Sequence, residues 1–173
     1  MKKRILSMLM VVCMVLSLLP ATTLHFHAHA ETPTATQMQV NGFKLWFNTT
    51  AQYAVTTDGT VSGTTVADEA VDPWNIKYQM VDGVAVMTLK GANIGTYDAE
   101  TGAITGTTSV NGDPSYPVAP LKIVVLESST MASTTQNING NTSISGVTIE
   151  TVGDATLDLI AEGTYNNIAF AAG

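Results

Sequence analysis

Apolar β-type segments recur at a nearly fixed interval in the last third of this chain. Val147 and Leu157 stand ten residues apart, as do Ile149 and Leu159, and Ile168 follows Leu157 by eleven. Strands of roughly five residues every ten, with Gly146, Gly153 and Gly163 at the intervening turns, fit two architectures: an antiparallel meander or sandwich, or the faces of a parallel β-helix. The turns "VGDA" and "AEGTYN" lack the two-residue Asn-Gly or Asp-Gly form that closes a hairpin, which favours the corners of a coil. Asn137, Asn139, Asn141, Asn166 and Asn167 fall at such corners. There, amide side chains either stack from coil to coil or bond their own turns. "LKIVVL", from Leu121, reads as a nearly continuous apolar strand, and the Pro-rich stretch Pro114 to Pro120 divides this region, 114–173, from what precedes it.

The preceding region, 31–113, reads as β-hairpins. Asn41-Gly42 separates "MQV" from "FKLWF", where Phe43, Leu45 and Phe47 alternate with Lys44 and Trp46. The clearest hairpin is "WNIKYQMVDGVAVMTLK". Trp74, Ile76, Tyr78 and Met80 alternate up to Asp82-Gly83, and either Val84, Val86 and Thr88 or Ala85, Met87 and Leu89 continue the buried face. Between these hairpins, Asp58-Gly59 and Ser62-Gly63 mark turns, and "ADEAVDP" suits one helical turn before Pro73. Asp98 to Gly102 is a further turn, followed by a short strand near Ile104. The fold class expected is all-β: hairpins leading into the first rungs of a parallel β-helix.

The first thirty residues stand apart. "MKKR" is a cationic start, "ILSMLMVVCMVLSLL" an apolar run too short to span a bilayer comfortably, and "HAHA" ends on small residues. The stretch reads as a secretory signal peptide with cleavage expected after Ala30, and no membrane segment is expected once it is removed. His25, His27 and His29 precede the cleavage point and would leave with it, and Cys13 lies within the apolar run.

Loss of Lys2, Lys3 and Arg4 leaves four lysines against 14 acidic residues, a balance of about −10. A chain so acidic and without arginine offers no footprint for nucleic acid or anionic lipid. With no histidine or cysteine after residue 30, Ser-His-Asp, Cys-His and the usual zinc chemistry are excluded too. Carboxylate chemistry, an oxygen-ligated calcium ion or pure binding remain.

The run "YQMVDGVAVMTLKGANI", followed by "PLKIVVLE", "NTSISGVTIET" and "GDATLDLIAEG", resembles secreted clostridial surface proteins whose carbohydrate-binding domain is a right-handed parallel β-helix. The resemblance spans residues 74–170 and rests on pattern, with no catalytic motif to carry over. It implies an extracellular, glycan-facing role on plant polysaccharides such as cellulose or pectin, in some members with calcium. "LKIVVLESSTM" departs from the pattern in lacking the Gly-x-Asn that often follows such a strand, although "KGANI" has it. A solenoid rung needs neighbours or a polar cap, and "NNIAFAAG" is no cap, so the sequence is expected to continue beyond Gly173.

Sugar rings stack on aromatic faces, which makes Trp46, Trp74, Tyr78 and Tyr97 the candidate carbohydrate-binding residues, with Tyr116 and Tyr165 beside them. Trp46, on the Lys44 face of its strand, is the one expected at the surface. Asp98 and Glu100 in "DAETG" are the candidate calcium ligands, although they supply two of the six to eight oxygens that calcium takes. The expectation is a non-enzymatic secreted or cell-surface protein of a Gram-positive bacterium that binds polysaccharide. A structural stalk or adhesin segment and a polysaccharide lyase are the alternatives, and the four lysines, with no arginine, disfavour the lyase.

Overall fold

The computed structural model describes residues 36–46, 49–106, 109–113, 118–141, 143–163 and 166–169. The signal-peptide reading, cleavage after Ala30, and Tyr116 and Tyr165 lie outside the described residues. All regular elements among the described residues are strands.

Three Asx-Gly dipeptides set the first reversals. Asn41-Gly42 joins β1 (Thr36–Val40) to β2 (Phe43–Trp46), Asp58-Gly59 joins β3 (Gln52–Thr57) to β4 (Thr60–Thr64), and Asp82-Gly83 joins β5 (Ile76–Val81) to β6 (Val84–Lys90). Both residues of each pair have positive φ, between 44° and 84°, the backbone of a turn whose twist matches that of the strands. Ser62-Gly63, expected as a turn, lies instead inside β4, where the absent side chain of Gly63 makes room for the Phe43 ring. "ADEAVDP" makes a single turn: Asp72 N–H donates to the Asp68 carbonyl (2.8 Å), and the Asp72 carboxylate accepts from the N–H groups of Ala67 and Asp68.

From β6 onward the chain makes three similar passes. The first runs β6, β7 (Asn93–Ile94), an inserted hairpin of β8 (Thr96–Tyr97) and β9 (Ile104–Thr105), then β10 (Val110–Gly112). The second is β11 (Ala119–Glu127), β12 (Ser129–Ser133) and β13 (Ile138–Asn139), and the third β14 (Ile144–Thr151), β15 (Leu157–Ala161) and β16 (Ile168–Ala169). Corresponding strands pair in parallel: β6, β11 and β14 in one sheet, β7, β12 and β15 in a second, β10, β13 and β16 in a third. The antiparallel strands β5, β3 and β4 extend the first sheet and β1 and β2 the third, so no sheet closes on itself.

Register stacks like on like. Met87, Ile123 and Ile149 form one row, Ile94, Met131 and Leu159 another, and Val110, Ile138 and Ile168 a third. The first- and second-pass members of these rows belong to the core, joined by Ile76, Tyr78 and Met80 of β5 and by Met38, Val40 and Leu45 of the first hairpin, with Leu159 and Ile168 packed against it. Of the two faces left open for β6, Ala85, Met87 and Leu89 turn inward. Cover runs out along the rows: Ile123 is fully buried, whereas Ile149 in the same row is 38% exposed.

The polar stretch between β11 and β14 holds two strands that hydropathy does not reveal. Ser129 and Ser133 of β12 face inward beside Met131, and their hydroxyls are satisfied: Ser129 Oγ donates to the Glu127 carbonyl (2.8 Å) and accepts from Ala92 N–H of the previous pass (3.0 Å), and Ser133 Oγ accepts from Thr135 N–H (3.1 Å). A polar ladder crosses the passes at the third sheet. Ser109 Oγ donates to Asn137 Oδ1 (3.0 Å), and Asn137 Nδ2 donates to Asn167 Oδ1 and to the Ile160 carbonyl (2.8 Å each). Asn137 is fully buried, and these bonds satisfy an amide that would otherwise oppose folding. Among the corner asparagines, Asn137 and Asn167 therefore stack, whereas Asn139 bonds its own turn through Asn141 N–H.

Candidate functional site

Where the edge strand β2 meets the β3–β4 hairpin, the surface folds into a groove of about 670 Å³. Phe43 and Trp46 line it from β2, Gln52 and Tyr53 from β3, and Thr64 and Thr65 from the end of β4. Among the described residues no charged side chain lines it. Strict alternation separates Phe43 from Trp46, yet both reach the groove because it follows the open edge of their strand.

Trp46 is held from behind. Its backbone N–H donates to Gln52 Oε1 and its carbonyl accepts from Gln52 Nε2, both at 2.9 Å, so one side chain stands in for the missing ladder partner. That clamp restrains the end of β2 and leaves the half-buried indole in the groove wall. Tyr53 is fixed as firmly. Its hydroxyl donates to Glu69 Oε1 (2.5 Å), the same oxygen that Lys77 Nζ approaches at 2.6 Å. Desolvation, followed by the Glu69 hydrogen bond and charge, pushes the Tyr53 phenol up to about 12. The hydrogen bonds from Lys77 and then Tyr53 hold the Glu69 carboxyl below its ordinary range. Tyr53 is thus a neutral, positioned ring with no tendency to act as a base.

Trp74 and Tyr78, expected as surface platforms, are placed otherwise. Trp74 is 7% exposed: its Nε1–H donates to the Glu69 carbonyl (3.0 Å), its ring meets that of Tyr53 edge-on at 6.1 Å, and Lys90 Nζ lies 5.4 Å from its centroid. It fastens the 66–73 loop to the sheet and indirectly steadies Tyr53. Tyr78 is wholly inside the core, its hydroxyl against Met80 Sδ (3.6 Å), and burial raises its pKa. A ring with no exposed face cannot stack on a sugar, which corrects the reading of both residues.

Tyr97, 45% exposed on the β8–β9 hairpin, keeps the exposure its candidate role requires. Asp98 and Glu100 sit at the tip of that hairpin. The Asp98 carboxylate accepts from Thr101 Oγ1 (2.7 Å), Glu100 N–H (2.8 Å) and Thr101 N–H (3.3 Å), bonds that lower its pKa and close the turn. Among the described residues no three acidic, His or Cys side chains gather where they could hold a metal ion. The calcium reading of Asp98 and Glu100 therefore gains no further ligand. Also among the described residues, no helix is long and apolar enough to cross a membrane.

Two groove residues escaped the sequence reading. Phe43 looked like a core residue by alternation, and Tyr53 lay in a stretch without clear period. The aromatic content of "QYAV" was the one available signal. Comparison with protein-family models, curated proteins and solved structures finds no match to the chain.

Proposed function

We propose that this is an extracellular, non-enzymatic polysaccharide-binding protein whose three passes are successive rungs of a parallel β-helix capped by the N-terminal hairpins. The observation that carries the binding role is the meeting of Phe43, Trp46 and Tyr53 in one uncharged groove. Sugar rings present C–H faces that pack on aromatic rings, and hydroxyls of the Thr64 and Thr65 type bond their edges. A volume of about 670 Å³ falls within the range of roughly 300–1,000 Å³ usual for ligand sites. The β-helix reading is supported by the parallel pairing of every pass with the next, and by the return of each pass to the same three sheets in the same order. It agrees with the architecture implied by the clostridial resemblance.

The test is affinity electrophoresis of the chain lacking residues 1–30 through gels containing soluble plant polysaccharides. Retardation by at least one polysaccharide is expected. Trp46→Ala should weaken it about tenfold or more, a loss of ~1.4 kcal/mol. Unretarded migration through every gel, or retardation unchanged by Trp46→Ala, would overturn the reading and leave the passes as a structural stalk.

A further inference from the structure

A second groove lies where the first two sheets meet the hairpin turn of β3–β4, and it shares no lining residue with the Trp46 groove. Its volume is about 380 Å³, and its walls include Asp58 from the turn, Asn93 and Tyr97 from the first pass, Thr130 from the second and Ile160 from the third. We infer that this groove is a second saccharide site, selective for uncharged pyranose units over uronates. The inference rests on the polysaccharide-binding reading and adds to it a second location and a chemical class of sugar.

The groove is built on a rigid seat. The turn carrying Asp58 is locked down because Gly59 carbonyl accepts both Gly95 N–H (2.8 Å) and Asn41 Nδ2 (2.9 Å). Gly95 itself, at φ +72°, leaves no room for a side chain, since a Cβ there would collide with the Ala132 carbonyl oxygen. Four parts of the chain distant in sequence are thus pressed together without slack, and the backbone that carries the groove wall is held ready, which reduces the ordering cost of binding.

The chemistry on that wall suits a sugar. Tyr97 and Ile160 contribute an aromatic ring and an apolar side chain to the lining, while the Asn93 amide, the Thr130 hydroxyl and the Asp58 carboxylate supply both donors and acceptors. Thr130 stands in register between Asn93 and Asp158, so the polar row crosses all three passes. Among the described residues none of these side chains has a hydrogen-bond partner. They remain open to hydroxyls.

Charge decides between sugars. Asp58 lines the groove, Asp158 lies next to Thr130, and among the described residues no lysine lines it. A uronate carboxylate would meet like charge with no cation to receive it, whereas a neutral hexose or pentose gives up nothing. Among the described residues neither a cation nor a carboxylate lines the Trp46 groove, so the repulsion belongs to the Tyr97 site.

The experiment is an amide NMR titration of the chain lacking residues 1–30 with a neutral cello-oligosaccharide, a neutral xylo-oligosaccharide and an oligogalacturonate. Shifts at Asn93, Thr96, Tyr97 and Thr130 are expected with at least one neutral sugar, at least tenfold more tightly than with the oligogalacturonate. Tyr97→Ala should abolish them while leaving any shifts at Tyr53 and Thr64 in place. Asn93→Ala, at an exposed position, gives a second variant should the first disturb the hairpin. Asp58→Asn, which keeps a side chain suited to positive φ, should narrow the gap between neutral and acidic sugars. Shifts confined to residues 43–66 would overturn the second site and leave the first standing. Oligogalacturonate binding beside Tyr97 as tightly as the neutral sugars would overturn the selectivity, and silence at both grooves would overturn both proposals.

Discussion

Replacing Asn137 by alanine tests whether the buried polar ladder holds the passes together. The side chain takes part in three hydrogen bonds, to Ser109, Asn167 and the Ile160 carbonyl, one pass apart on either side for the first two. Each such bond contributes about 0.5–1.5 kcal/mol net, and the partners left behind in a dry interior add to the cost. The expected loss is about 3 kcal/mol. For a chain of this size that lowers the thermal midpoint by roughly 6–12 °C, on a scale of about 2–4 °C per kcal/mol. Asn139→Ala is the matched control, because that half-buried amide makes one local bond to Asn141 N–H and should cost about 1 kcal/mol. Asn137→Asp should be at least as damaging as alanine: it places a carboxylate against two acceptor oxygens where a donor is required. Circular dichroism melts and urea titrations of the four proteins read the result. If Asn137→Ala costs no more than Asn139→Ala, the ladder contributes nothing beyond ordinary turn bonding and the reasoning fails.

Glycine replacements separate backbone strain from crowding. Gly83→Ala, at φ +80° with open space around it, should cost about 1–2 kcal/mol, whereas Gly95→Ala adds a collision with the Ala132 carbonyl and should prevent stable folding, as urea midpoints would show. The row of Met87, Ile123 and Ile149 predicts a gradient: Ile123→Ala should cost about 2–5 kcal/mol and Ile149→Ala less than half as much, because that site is 38% exposed; equal losses would contradict the observed cover. Stability should also depend on pH at both extremes. Glu69, Asp72 and Asp98 are held below their ordinary range, so their contribution is complete above about pH 5 and fades as pH falls through the lower folded values. Tyr53, pushed up to about 12, contributes below about pH 10 and loses that contribution as pH rises through 12. Glu69→Gln should flatten both arms of a plot of urea midpoint against pH, and an unchanged acid arm would count against the Lys77 and Tyr53 bonds.

The three Asx-Gly reversals were legible because a turn with positive φ at two adjacent residues depends on those residues alone. The all-β class, the acidic balance and the strand positions of β11, β14, β15 and β16 followed from composition and alternation in the same local way. The roughly ten-residue spacing was also a true signal. It counts successive sheets within a pass, while the pairing partner lies a whole pass away, as with Leu121 beside Val147, 26 residues on (147 − 121).

Tertiary structure decided what pairing across that distance controls. Alternation offers two faces to every strand, and the neighbours alone determined that Met87 rather than Val86 is inside, and that Tyr78 is a core residue while Tyr97 is not. Strands β12 and β13 hide in a polar stretch because serine and asparagine can be buried when another pass supplies their hydrogen bonds, a condition that no local window contains. The aromatic groove has the same origin. Phe43, Trp46 and Tyr53 meet only because the edge of one sheet is brought against a hairpin of another, and the Gln52 clamp that fixes Trp46 exists only once they have met.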